Sequence, residues 1–146
     1  MITQQPNPAM SFGYSVGDMM AISGLAVKVY TAYKDAPDDY RNISDEVVSL
    51  HIIINKAARH FESTTLSHDE QQEGLKVLKG CENVLKELDS LIAKYDGLDS
   101  ANIFQRVKFG GKDIATLRER LVSNTGLLNS FIQRFVFLLL LLSISC

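Results

Sequence analysis

The chain has no tryptophan, three prolines and two cysteines among its 146 residues, and each shortage closes off a class of structure. Two cysteines, Cys81 inside an apolar pattern and Cys146 at the last position, do not make the disulfide framework of a small secreted domain. A reducing, cytoplasmic setting fits best. The prolines stand at positions 6, 8 and 37, so everything after Pro37 is free of the residue that most strongly interrupts helices. No segment alternates apolar and polar residues with the period of two that marks a half-buried strand. The opening "MITQQPNPAMSFGYSVGD" also lacks the basic stretch followed by an apolar core that a secretory signal requires. Asn42-Ile43-Ser44 satisfies the glycosylation sequon formally, but it lies in a helical pattern of a chain with no export signal and is read as chance.

Charge is nearly balanced, with 15 Lys and Arg against 17 Asp and Glu, which leaves no overall drive toward nucleic acid or acidic lipid. Its distribution is less even. Residues 35 to 73 hold nine acids against three bases, and residues 106 to 134 hold six bases against two acids. A hydrophobic content of 46% with 22% charged residues is that of a folded globular domain, and the length suits one such domain.

What the sequence does have is helical periodicity. From about residue 17 to 34, Ile22, Leu25, Ala26, Val29, Tyr30 and Tyr33 recur at spacings of three and four, which places them along one helix face. Asp35-Ala36-Pro37 stops this helix, because a residue before proline is biased away from helical backbone. A second helix carries Tyr40, Ile43, Val47, Leu50, Ile54, Ala57 and Phe61; Val48, Ile52 and Ile53 are expected to widen its apolar face toward two neighbours. Ser67-His68-Asp69-Glu70 fits a capping box opening a third helix, with Leu78, Cys81, Leu85, Leu88, Ile92 and Tyr95 as its stripe and Val77, Val84 and Leu91 as an adjacent row. Gly97 is expected to cap its end near Asp96. A short helical turn is expected over Ile103 to Lys108. A fourth helix then runs from about Asp113, with Ile114, Leu117, Leu121, Leu128, Phe131 and Phe135 on one face and Asn124 as its single polar intruder. Four helices with one stripe each bury those stripes against one another. The expected fold is therefore all-α: an antiparallel four-helix bundle with a short extra helical turn before the last helix and a hydrophobic C-terminal tail.

Chemistry is harder to find. His51, His60 and His68 lack the spacing of a metal-binding helix pair, and no glutamate stands three residues before any histidine, as the carboxylate-bridged dimetal bundles require. "FGGKD" at residues 109 to 113 lacks the first glycine, the hydroxyl residue and the strand of a phosphate-binding loop. Acids in "DAPDDY" and "SHDEQQE" sit at helix starts, where they favour the helix dipole. The expectation is no enzyme, no cofactor, no metal, no nucleic acid and no small-molecule substrate.

Four pieces, "FGYSVGD", "VYTAYKDAPDDYRNISDEV", "GCENVLKELDSLIAKY" and "FQRVKFGGKDIATLRERLVSNTGLLNSF", follow one another over residues 11 to 131 in an order and spacing that resemble the HeLo-like N-terminal domains of fungal NACHT or STAND receptors. The resemblance implies a helical, non-enzymatic signalling module at the front of a longer receptor-like protein. It further implies self-association or contact with other signalling domains, and engagement of lipid membranes in incompatibility or cell death. No catalytic residue comes with it.

The tail departs from that pattern. Residues 134 to 146 read "RFVFLLLLLSISC", too short an apolar run for a membrane span of about 20 residues, and lengthening it backward would bury Arg134 at membrane depth. The chain accordingly divides into a flexible N-terminus at 1–14, a signalling bundle at 15–134 and a hydrophobic tail at 135–146. The tail is read as a truncation or a gene model running past a conserved helix. Met19, Met20, Ile22 and Leu25 of the first helix, with Phe135, Phe137, Leu138, Leu139 and Leu140 of the tail, are the residues expected to meet a partner or a membrane.

Overall fold

The computed structural model describes residues 16–36, 38–61, 67–93 and 114–145, and within these some terminal side chains are left aside. Apart from the turn at residues 34–36 and Ser67, the described residues form four helices: α1 Val16–Tyr33, α2 Asp38–Phe61, α3 His68–Ala93 and α4 Ile114–Ser145. The expected turn at 103–108, the Gly97 cap, and the segments 1–14 and 94–113 lie outside the described residues.

Local sequence accounts for the ends that are described. α1 closes with backbone bonds from Lys34 N to the Tyr30 carbonyl (2.9 Å) and from Ala36 N to the Tyr33 carbonyl (3.1 Å). At the start of α3 the capping box is formed reciprocally: Glu70 N donates to Ser67 Oγ at 3.2 Å, and Ser67 N donates to Glu70 Oε1 at 2.9 Å. Two otherwise orphaned amides are thereby satisfied.

The four stripes meet in one core. α1 contributes Met19, Ile22, Ala26, Val29 and Tyr33; α2 contributes Tyr40, Ile43, Val47, Leu50, Ile54 and Ala57. α3 adds Leu78, Cys81, Val84, Leu85, Leu88 and Leu91, and α4 adds Leu117, Leu121, Leu128, Phe131 and Ile132. The buried hydroxyls of Ser44 and Thr125 donate to carbonyls of their own helices, Arg41 at 2.7 Å and Leu121 at 2.7 Å, so neither enters the apolar interior unpaired.

Each helix runs antiparallel to the next in the chain, but the order around the bundle is α1, α2, α4, α3. The packed neighbours are α1 with α2, α2 with α4, α4 with α3, and α3 with α1. Glu73 and Glu87 of α3 meet Arg134 and Arg120 of α4, two levels that fix this pair as antiparallel; the four residues between α1 and α2 turn the chain back, and Ser23 of α1 lies beside His51 and Asn55 of α2. Lys28 meets Asp89 at 3.2 Å and Tyr33 Oη donates to the Leu88 carbonyl at 3.1 Å, so the C-terminal halves of α1 and α3 lie at the same level. α1 and α3 thus descend side by side while α2 and α4 return side by side.

The uneven charge distribution finds its use here. Glu46 and Glu73, from the acid-rich stretch, meet Arg118 (3.9 Å) and Arg134 (2.6 Å) of the basic one. These pairs are largely exposed and contribute little energy, but they agree with the register of α4 against α2 and α3.

Two expectations change. Val48 and Ile52 do not widen the buried face of α2; both are exposed, and only Ile53 of that set packs partly against the core. On the α2 wheel they fall beyond the seam with α1, and the core does not extend that far round. Tyr30, placed on the α1 stripe by spacing, is also exposed, because the stripe is centred on Ala26 and Tyr33 instead. The backbone of the apolar tail continues α4 without a break as far as Ser145.

Candidate functional site

The polar feature with most geometry lies in the seam between α1 and α2. Ser23, fully buried on α1, places its Oγ 2.8 Å from His51 Nδ1 and 3.1 Å from Asn55 Oδ1. One helical turn separates His51 from Asn55, which puts both on the same face of α2, and Asn55 Nδ2 lies 3.1 Å from His51 Nε2. The three side chains close a ring of hydrogen bonds. Asn55 can only donate from Nδ2, so Nε2 must accept, and the neutral imidazole then carries its proton on Nδ1 and donates it to Ser23 Oγ. The serine proton passes on to Asn55 Oδ1. Each member of the ring both donates and accepts, and among the described residues no buried side-chain nitrogen or oxygen is left without a partner.

A serine beside a histidine invites comparison with a nucleophile and its base. The proton directions argue against it: His51 donates to the hydroxyl here, whereas general-base activation needs an imidazole nitrogen free to accept from it. Ser23 is also closed off from a substrate by burial. The ring instead locks α1 to α2 at one rotation and level, because shifting either helix by one residue would orphan the buried Ser23 hydroxyl and break its bonds to the half-buried His51 and Asn55. Sequence reading set His51 aside for its spacing to other histidines and passed over Ser23. The available signal was the polar residue inside the α1 stripe next to Ile22, together with His51 and Asn55 one turn apart.

Burial acts on two further groups. It pushes the Cys81 thiol up to about 12 from an ordinary 9.0, and it raises the Tyr33 phenol well above its usual value, with Tyr40 and Asp89 adding to the rise. Neither is poised to react near neutral pH. Among the described residues no group of three His, Cys, Asp or Glu side chains gathers as metal ligands do.

The expected contact residues separate. Met19 and Ile22 are core residues, Leu25 is half-buried against the core, and Met20 stands 49% exposed. In the tail, Phe137 is 61% exposed, while the side chains of Phe135, Leu138, Leu139 and Leu140 are outside the described set. Among the described residues no helix is long and apolar enough to cross a membrane.

What the solvent side of α1 does show is a shortage of charge. Its 18 residues include only Asp18 and Lys28 as charged groups. The outward positions Met20, Ala21, Gly24, Val27 and Thr31 follow a three-and-four spacing of their own. Ser23 faces α2, and Met20 and Val27 lie just outside it on the same flank. Val48 and Ile52 occupy the matching outer flank of α2. The antiparallel register brings Val27 level with Val48, and Met20 lies about one helical turn beyond the level of Ile52. Four exposed apolar side chains therefore straddle the outer side of the α1–α2 seam, outside the half-buried ring.

No protein-family model, curated protein or solved structure matches this chain.

Proposed function

We propose that this chain is a non-enzymatic interaction module of the fungal receptor-associated signalling type, and that it works by self-association. The observation that carries the reading is the outer face of α1 and α2, where Met20, Val27, Val48 and Ile52 are exposed together on a helix pair with little charge at its centre. Isolated exposed apolar residues are ordinary, whereas a contiguous group on adjoining helices is a common mark of a contact surface. The residue pattern over 11 to 131, which resembles HeLo-like receptor domains, supports the same reading. A four-helix core locked by the Ser23 ring supplies a rigid base for such a surface.

Lipid engagement is a second reading, favoured by a different observation. The last turns of α4, residues 135 to 145, contain no charged residue, and Phe137 and Ile144 stand 61% and 81% exposed. Such an end can enter the interfacial zone of a bilayer without spanning it.

Sedimentation of the full chain over a range of concentrations, run beside flotation on neutral and anionic vesicles, tests both. Concentration-dependent association supports the module reading, and vesicle binding lost on replacing Phe137 and Ile144 with serine supports the second. A chain that stays monomeric and remains with the soluble fraction would overturn the proposal.

A further inference from the structure

We propose that the occupant of the α1–α2 outer face is the same face of a second copy of this chain, packed antiparallel across a two-fold axis. This rests on the self-association reading above and adds which surface meets which. The argument is one of complementarity within a single face. A two-fold contact is self-complementary, so a residue one side of the axis must fit the residue equally far on the other side. On α2 the exposed outer positions run Asp45, Val48, Ile52, Lys56. An axis at the midpoint of Val48 and Ile52 sets Val48 of one copy against Ile52 of the other, and Asp45 against Lys56, each twice. The chain itself provides no ion pair for either Asp45 or Lys56 among the described residues, although six other pairs are formed.

α1 obeys the same axis. The midpoint of Gly24 and Val27 lies level with that of Val48 and Ile52, given the register that Ser23 sets with His51 and Asn55. The second copy's Val27 therefore falls over Gly24, where nothing lies within 4 Å of the space a Cβ would take. Valine against glycine lets two α1 helices approach closely. Arg41 and Arg59 also meet across this axis, but at the exposed rim, where solvent and salt screen them. The face is roughly 27 Å by 20 Å, from helix rise and diameter, so the pair would bury on the order of 1,000 Å² in all. That is the low end of specific interfaces, the size of weak or transient contacts.

Sedimentation equilibrium of the full chain with D45K, K56D and the double exchange D45K/K56D provides the test. Each single reversal sets like charges together twice and is expected to weaken the dimer about ten-fold or more. The double exchange restores opposite charges across the axis and is expected to return the dimer to within a few-fold of the unaltered chain. Circular dichroism with unchanged melting keeps folding out of the comparison, since both positions are exposed. Association that ignores all three variants would overturn this arrangement while leaving self-association standing. Single and double variants equally weak would overturn the antiparallel pairing, and a chain monomeric throughout the range would overturn both this inference and the reading beneath it, as would binding to vesicles with no dimer.

Discussion

The side chain of Asn124 on α4 occupies the space that a side chain at Gly80 on α3 would need: a Cβ built at Gly80 runs into Asn124 Oδ1 and lies 3.2 Å from its Cγ. Asn124 cannot easily withdraw, because its Nδ2 donates to the Arg120 carbonyl at 2.8 Å. Next to it, the Cys81 thiol points at the Asn124 carbonyl at 3.7 Å. Glycine in mid-helix is therefore what lets α3 and α4 close around a polar residue.

Gly80→Ala should consequently destabilise the chain by about 1–2 kcal/mol, despite the roughly 1 kcal/mol that alanine gains over glycine in a helix. Gly24→Ala, with nothing within 4 Å of its added carbon, should stabilise the monomer by about 1 kcal/mol. Urea denaturation of the two variants decides it. Equal gains for both would mean that Asn124 does not hold its place, and a combined Gly80→Ala, Asn124→Ala chain should recover the helix gain.

Ser23→Ala opens the polar ring. It leaves His51 Nδ1 and Asn55 Oδ1 short of a partner inside the α1–α2 seam, and it should cost about 1–3 kcal/mol in chemical denaturation. A loss below a few tenths would show that water replaces the hydroxyl and that the ring does not fix the seam.

Alkaline pH should destabilise the fold through Cys81. Below the thiol's ordinary 9.0 both folded and unfolded chains keep its proton, so nothing changes. Between 9.0 and about 12 the unfolded chain loses the proton and the folded chain retains it, so stability falls as pH rises. The slope contributed by one such group is at most about 1.4 kcal/mol per pH unit. Comparing denaturation at pH 8.5 and 10 for the unaltered chain and Cys81→Ala isolates it: the variant's curve should be the flatter one. The buried Tyr33 phenol acts with the same sign, starting above pH 10.0.

Ile52→Ala and Ile54→Ala make a paired test of which apolar face of α2 is inside. Ile54 is fully buried and Ile52 is 57% exposed. Truncating Ile54 should cost about 2–5 kcal/mol, and truncating Ile52 no more than about 0.5. Similar losses would return Ile52 to the core, where spacing alone had put it.

That last pair marks where legibility stopped. Helix number, most helix limits, the Ser67–Glu70 box and the main stripe of each helix could be read from residues because each depends on neighbours within a turn or two. Val48, Ile52 and Tyr30 could not be sorted the same way. Their spacing is as good as that of buried residues, and only the rotation of one helix against another decides which of two adjoining rows faces inward. The ring of Ser23, His51 and Asn55 was illegible for a related reason, since its members stand 28 and 32 positions apart across two helices.

Sequence by itself determined that this chain makes helices, where they start, and that each must hide one side, because backbone propensity, capping and periodicity are local. Tertiary structure alone decided that α4 lies between α2 and α3, that Gly80 makes room for Asn124, that charges separated along the chain pair across helices, and that an apolar face of α1 and α2 stays outside. Those outcomes follow from how four amphipathic cylinders share one interior. There is room inside for one stripe from each, and the rows left over become surface.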